Sequence, residues 1–179
     1  MHYSIIGVLS AVALFASSSA EAILNTTITL HNNCSRAVAL QLSSRSGTPY
    51  KGPAIGSISA KGTKAVTVPD DWSGSICESV GGCANNCVGK CSMTEFEMNT
   101  GSLPGIRWNR YDISNVQGFT IAQRISIVCG NVTCTSANCP CDQAYRPGDV
   151  SGTCGGGRAD QARYACGFAG AAMSVIYCP

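Results

Sequence analysis

The chain has 179 residues, a length that predicts one domain. Only 12% of the residues are charged and the formal net charge is +2, an excess too small to favour nucleic acid as a partner. Twelve residues are cysteines, and this even number predicts a disulfide framework formed in an oxidising compartment. The cysteines are Cys34, Cys77, Cys83, Cys87, Cys91, Cys129, Cys134, Cys139, Cys141, Cys154, Cys166 and Cys178.

The N-terminal segment has the pattern of a cleaved signal peptide. Residues 3–15 are almost all apolar or small, and Ala20-Glu21-Ala22 fits a small-residue cleavage site. The apolar run is shorter than the roughly 20 residues that a membrane span needs. We therefore predict a signal peptide over residues 1–22 and a secreted domain over residues 23–179.

Two cysteine pairs could in principle bind zinc. These are Cys87-x-x-x-Cys91 and Cys139-x-Cys141, whose close spacing is compatible with paired metal ligands. After cleavage, however, His31 would be the only histidine, and a secreted protein this rich in cysteine is far better explained by disulfides. We expect no metal and no cofactor.

Alternating apolar and polar residues predict a mainly β domain. No helical pattern persists for more than two turns. The cysteine-rich stretch 77–91 predicts a bridged loop, and residues 130–167 are rich in cysteine, glycine and proline. The predicted strands, in chain order, are residues 27–30, 38–42, 54–58, 64–68, 94–98, 118–121, 124–129 and 173–179.

Three sequons for N-glycosylation occur in the predicted secreted domain, at Asn25, Asn33 and Asn131. Asn33 is followed by Cys34, so a disulfide at that cysteine could block modification. We therefore predict Asn25 and Asn131 as the glycosylated residues.

The arginines are concentrated in the second half of the chain. One hypothesis is a basic face that meets an anionic cell wall or membrane surface. The alternative is ordinary charge that keeps the protein soluble, and it explains the same residues. The six arginines beyond residue 100 are Arg107, Arg110, Arg124, Arg146, Arg158 and Arg163.

Several motifs, taken together and in order, resemble the thaumatin-like family in its short, pathogenesis-related or osmotin-like form. Tyr111-Asp112-Ile113-Ser114-Asn115-Val116-Gln117-Gly118-Phe119 is the most specific of them. The resemblance implies an all-β fold, a flattened β-sandwich or barrel with disulfide-rich loops and a reduced second lobe. The other motifs are residues 28–34, 58–62, 68–74, 94–96, 139–140 and 177–179.

The resemblance also implies part of the disulfide pairing. Cys34 would pair with Cys178, which ties the first strand to the last. Family order would make Cys77–Cys83 and Cys87–Cys91 local pairs. The sequence leaves the pairing of the other cysteines open.

Members of this family carry a cleft with an arginine, a glutamate and several aspartates, proposed to bind or cleave β-1,3-glucan. Glu95 matches the glutamate, Asp112 matches one aspartate, and Asn109 stands where another aspartate is usual. Ser79 falls near the expected arginine. The resemblance thus implies Glu95, Asn109 and Asp112 as glycan-binding residues. Alternatively, Asp112 caps a turn and Glu95 only faces solvent.

These matches predict a secreted, monomeric, defence-type and antifungal protein that binds β-glucan or another cell-wall polysaccharide. One alternative is a weak endo-β-1,3-glucanase with Glu95 as acid and Asp112 as nucleophile or base. Asn109 cannot exchange a proton in such a reaction. Another alternative is an interaction protein that inhibits a secreted protein or perturbs a membrane surface.

Overall fold

The computed structural model describes residues 25–100, 108–150, 164–167 and 172–179. The predicted signal peptide lies outside these residues, as do Cys154, Arg107, Arg158 and Arg163. No helix in the described ranges is long and apolar enough to cross a membrane.

The described residues form thirteen β-strands and one short 3₁₀ turn at Asn85–Cys87, which confirms the predicted all-β class. The strands are β1 Asn25–Asn32, β2 Val38–Ser46, β3 Gly56–Ile58, β4 Thr63–Pro69, β5 Ser73–Glu78, β6 Cys83–Ala84, β7 Val88–Gly89, β8 Met93–Glu97, β9 Asn109–Ser114, β10 Gln123–Ile127, β11 Gly130–Cys134, β12 Tyr164–Cys166 and β13 Met173–Tyr177.

Two sheets carry the fold. One has five strands in the order β11-β10-β13-β1-β4, and the other has six in the order β12-β9-β8-β5-β2-β3. Strands β6 and β7 form a separate two-stranded ribbon. The first strand, β1, lies parallel to the last, β13, and antiparallel to β4.

The hydrophobic core is made by alternate residues of both sheets. Ile28 and Leu30 of β1 and Val175 of β13 are fully buried. Thr27 and Thr29, which alternate with the two β1 residues, are not. Since successive side chains of a strand point to opposite faces, this alternation turns one side of each sheet inward. Trp72 is also fully buried, and its indole N–H donates to Ser44 Oγ over 2.9 Å.

Most of the predicted strands are confirmed, with ends that differ by a few residues. The prediction of a strand at residues 118–121 is wrong. There the backbone N–H groups of Thr120 and Ile121 donate to Ser92 Oγ, over 2.9 and 3.3 Å, rather than to a neighbouring strand. The sequence also gave no separate prediction of β5, β9, β11 or β12.

The disulfides confirm one predicted pair and correct two. Cys34 is bonded to Cys178, as predicted. Cys77 is bonded to Cys87 and Cys83 to Cys91, so the local pairs Cys77–Cys83 and Cys87–Cys91 were wrong. The physical reason is the ribbon β6–β7, in which Cys83 lies opposite Gly89 and is therefore carried towards Cys91.

The remaining bridges in the described ranges are Cys129–Cys166 and Cys134–Cys139. Sulfur atoms of Cys77, Cys83 and Cys91 lie within 4.8 Å of one another. All three are oxidised, and a metal would need thiolates, so this cluster is a pair of adjacent disulfides.

Candidate functional site

A row of polar residues crosses the outer face of the six-stranded sheet. Ser43 of β2 is paired with Ser75 of β5, Ser75 with Glu95 of β8, and Glu95 with Asp112 of β9. Residues directly opposite each other in an antiparallel pair project to the same side of the sheet, with Cβ atoms about 5 Å apart. The row therefore brings Glu95 and Asp112 together, as the sequence predicted.

Arg45 lies beside this row, at an irregularity in strand β2. The register between β2 and β5 shifts between Ser44 and Ser46, which leaves Arg45 as an extra residue in a β-bulge. Bulges change the direction of a side chain, and they are common near functional sites. The Arg45 guanidinium forms an ion pair with Oε1 of Glu95. The Arg45 side chain is 47% exposed and that of Glu95 is 18% exposed.

The ion pair lies in a cleft with a volume of about 330 Å³. Its lining combines hydroxyl and amide side chains with a few aliphatic groups, so it is polar but not strongly charged. The lining residues are Ser43, Arg45, Ser75, Asn86, Cys87, Val88, Met93, Glu95, Ser114, Val116 and Gln117.

One wall of the cleft is fixed by covalent and backbone constraints. Cys87, in that wall, is bonded to Cys77 of β5. Gln117 accepts a hydrogen bond from the Gly89 N–H over 2.6 Å, which joins the wall to the loop after β9. Gly89 has a φ of +109°, and a Cβ there would lie 2.2 Å from the Gly82 carbonyl oxygen. Only glycine fits this position, so the wall has one defined backbone path.

Asp112 shares the face of Glu95 but lies deeper. Its relative exposure is 2%, and it is not among the residues that line the cleft. The Glu95 carboxylate is thus presented to a ligand, whereas the Asp112 carboxylate lies beneath the surface. Any direct chemistry at a bound molecule would fall to Glu95 before Asp112.

The structure does not bring Asn109 to the cleft. Its side chain is buried, and Oδ1 accepts a hydrogen bond from the Asn99 backbone N–H over 3.0 Å. By strand alternation it shares the inner side of β9 with Tyr111 and Ile113, both core residues. The contacts of Asn109 in the described residues are structural.

The arginine of the cleft is one that the sequence did not reveal. Ser79 lies just beyond β5, is exposed, and donates its backbone N–H to the Ala39 carbonyl over 2.7 Å. Arg45 occupies the site instead. The sequence prediction ended β2 at residue 42 and treated the following segment as loop. A strand prediction that continued to Ser46 would have placed Arg45 on the sheet, on the same face as Ser43.

The described arginines of the second half do not share one face. Arg110 lies on the outer face of the six-stranded sheet, with Nη1 4.0 Å from Oε2 of Glu97. Arg124 lies on the five-stranded sheet and donates to Thr133 Oγ1 over 3.1 Å. Arg146 donates to the Cys139 carbonyl over 2.8 Å. Because Arg110 and Arg124 belong to different sheets, they do not support a common basic face.

No protein-family model matches the sequence, and no curated protein matches it. The fold, in contrast, is similar to solved structures. The thaumatin-like xylanase inhibitor TLXI superimposes with a TM-score of 0.55 over 85% of this chain and 99% of the inhibitor, at 16% identity. The protein elicitor MoHrip2 from Magnaporthe oryzae gives 0.54 over 86% and 99%, at 17% identity.

Both similarities cover nearly the whole of the other protein and most of this chain. At such low identity they establish the fold and not the activity. The chain has the thaumatin-like fold.

Proposed function

We propose that this protein is a secreted, defence-type thaumatin-like protein that binds cell-wall β-1,3-glucan in the cleft around Arg45 and Glu95. The observation that carries the proposal is the Arg45–Glu95 ion pair in a cleft of hydroxyl and amide side chains. The five disulfides of the described residues support secretion, because such bridges persist in oxidising compartments.

The chemistry of the cleft suits a neutral sugar. Each sugar hydroxyl both donates and accepts hydrogen bonds. Arg45 offers only donors, the Glu95 carboxylate only acceptors, and Gln117 both. Because the ion pair already holds both charged groups in place, little side-chain freedom remains to be lost on binding. Val88 and Met93 give an aliphatic surface for the C–H face of a sugar ring.

Binding without hydrolysis is favoured over a glucanase. A glycosidase needs one carboxylic acid that delivers a proton to the leaving oxygen and a second carboxylate on the other side of the bond. Glu95 is already engaged by a guanidinium, and Asp112 is buried. The two therefore do not form an accessible pair across one cleft.

A second candidate is inhibition of a secreted wall-degrading enzyme. It is supported by the similarity in fold to a protein named as a xylanase inhibitor. In that case the partner would be a protein and the cleft would not need to admit a sugar.

The test is a pull-down of the secreted, oxidised protein on insoluble β-1,3-glucan, with chitin and cellulose as controls. Released reducing sugar is measured in the same tubes. Selective retention on β-1,3-glucan without sugar release is the expected result. Retention with release of sugar would show that the protein hydrolyses the glucan as well as binding it. A protein that stays wholly in the supernatant would overturn the glucan proposal, and enzyme-inhibition assays would then test the second candidate.

A further inference from the structure

An exposed tryptophan lies beside the candidate site. Trp108 immediately precedes strand β9, and 42% of its surface is exposed. Its backbone is held in place, because its carbonyl oxygen accepts hydrogen bonds from the N–H and the hydroxyl of Thr100, over 2.9 and 3.2 Å. The other tryptophan, Trp72, is fully buried in the core.

The Trp108 ring is supported on one side by a glycine. A Cβ at Gly167 would lie 3.4 to 3.6 Å from three carbons of the six-membered ring, so the indole lies close against this backbone. Gly167 directly follows β12, whose residue Cys166 is paired with Asn109. Strand β12 is in turn fixed by the Cys129–Cys166 disulfide. The ring therefore rests on a fixed part of the sheet edge.

Trp108 lies on the same face of the sheet as the cleft. Alternation along β9 places Trp108, Arg110 and Asp112 on one side. Arg110 is opposite Glu97 in the register and 4.0 Å from its carboxylate, and Glu97 follows Glu95 by two residues on β8. Four residue steps of extended chain, about 13 Å, separate Trp108 from Asp112, which lies opposite Glu95 of the cleft.

A fixed and partly exposed indole has a defined use in glycan binding. Its flat apolar face packs against the C–H face of a sugar ring, and its N–H can donate to a hydroxyl. An exposed tryptophan with no ligand leaves a large apolar surface in water, which is unfavourable. The separation from the cleft exceeds the reach of one sugar, so a single chain must extend along the sheet to contact both.

We propose that Trp108 is a second sugar-binding position, and that the ligand is an extended, uncharged polysaccharide that spans the cleft and this indole. The inference rests on the proposed function. It goes further in naming a residue that no sequence motif indicated and in requiring a chain of several sugars.

The test measures binding of soluble β-1,3-linked oligosaccharides of increasing length, by calorimetry and by tryptophan fluorescence. The variants are Trp108→Ala and Trp108→Phe, with Val128→Ala as the control. Val128 is 73% exposed and follows β10 of the other sheet, so its loss removes exposed apolar surface outside the cleft lining. The Trp108→Phe spectrum, which retains only Trp72, identifies the Trp108 signal.

We expect the affinity of the wild type to rise with oligosaccharide length. Trp108→Ala should weaken binding of the longest oligosaccharide about tenfold, the loss of one aromatic contact, and leave the disaccharide unchanged. Trp108→Phe should keep most of the wild-type affinity, and Val128→Ala should bind as the wild type does. The Trp108 emission should change only with oligosaccharides long enough to reach it.

Equal binding of the longest oligosaccharide by wild type and Trp108→Ala would overturn this inference while the glucan proposal stands. A loss that is the same for short and long ligands would also overturn it, since the indole would then act through the fold. A wild type that binds neither length would refute the proposed function itself.

Discussion

Arg45 of β2 forms an ion pair with Glu95 of β8 by reaching across β5, from a β-bulge near the end of β2. Alternation along β2 places Arg45 on the same face as Ser43, which is opposite Ser75 of the polar row. The ion pair therefore lies on the outer face of the sheet and forms the charged part of the cleft. Since both side chains are partly exposed, either can be changed without altering the core.

Removing either charge of this pair should abolish retention on β-1,3-glucan. We expect Arg45→Met and Glu95→Gln each to lose binding, because each leaves one charged group without its partner at the ligand. Stability should change by less than about 1 kcal/mol, since partly exposed ion pairs contribute little. Pull-down and urea unfolding measure the two effects separately.

The control is Arg124→Met, which removes an arginine of the five-stranded sheet that donates to Thr133 and lies outside the cleft lining. It should keep binding. Full retention of glucan by Arg45→Met would show that the ligand is held elsewhere.

The Cys34–Cys178 bridge should stabilise the fold more than a local bridge does. It closes a loop with a sequence separation of 144, compared with 8 for Cys83–Cys91. In the chain-entropy model these bridges contribute about 5 and about 2.5 kcal/mol. Urea unfolding of the two double alanine variants measures the difference, and equal losses would contradict the entropic account.

Disulfide mapping can test the corrected pairing. Trypsin, which cleaves after Lys64 and Lys90, should give one peptide with Cys77, Cys83 and Cys87 and another that begins at Cys91. A single backbone break between residues 84 and 87 should release no fragment, because the Cys77–Cys87 bridge joins the two parts and the Cys91 peptide stays on Cys83. If the Cys91 peptide were attached to Cys87 instead, the same break would release it together with residues 87–90. Attachment to Cys87 would restore the pairing implied by family order.

Alkaline pH should destabilise the protein through Tyr177. Burial raises the pKa of this fully buried phenol above its ordinary value of 10.0, and the negative charge of Glu78 raises it further. Because the folded state holds the proton more tightly, this stabilisation is complete below pH 10 and is lost as the pH rises towards the folded-state pKa. The loss should approach about 1.4 kcal/mol per pH unit above 10.

Tyr177→Phe should therefore flatten the dependence of unfolding free energy on pH above 10. The variant should still lose some stability above pH 10, with a smaller slope, because burial also raises the pKa values of Tyr50, Tyr111 and Tyr164. Denaturant unfolding at neutral and alkaline pH gives both slopes. Parallel curves for the variant and the wild type would exclude Tyr177 as the cause.

Glycosylation at Asn25 and Asn131 should leave glucan binding intact. Both side chains are exposed, and strand alternation places both on the outer face of the five-stranded sheet, away from the cleft on the other sheet. In a eukaryotic secretory host, Asn25→Gln and Asn131→Gln should each remove one glycan, and mass spectrometry measures the loss. Asn33→Gln should remove none. A glycan at Asn33, or binding that depends on either glycan, would contradict this arrangement.

The local alternation of apolar and polar residues was enough to predict many of the strands. The alternation of residues 27–30 or 94–98 identified strands, because a half-buried strand needs one apolar side. The dense cysteines indicated a bridged protein, and the family resemblance carried by several ordered motifs implied the fold and the Cys34–Cys178 pair. Glu95 and Asp112 also met as expected, since their strands are paired in register.

The details of the site depended on contacts between residues that are distant in sequence. Only the tertiary structure brings Arg45 of β2 to Glu95 of β8, across the intervening strand β5. Only the fold of β6 and β7 decides that Cys83 meets Cys91. Asn109 matched a family position in the sequence, yet the register of β9 turns it inward to the Asn99 backbone. A sequence determines which residues alternate, whereas the register between strands decides which side chains meet.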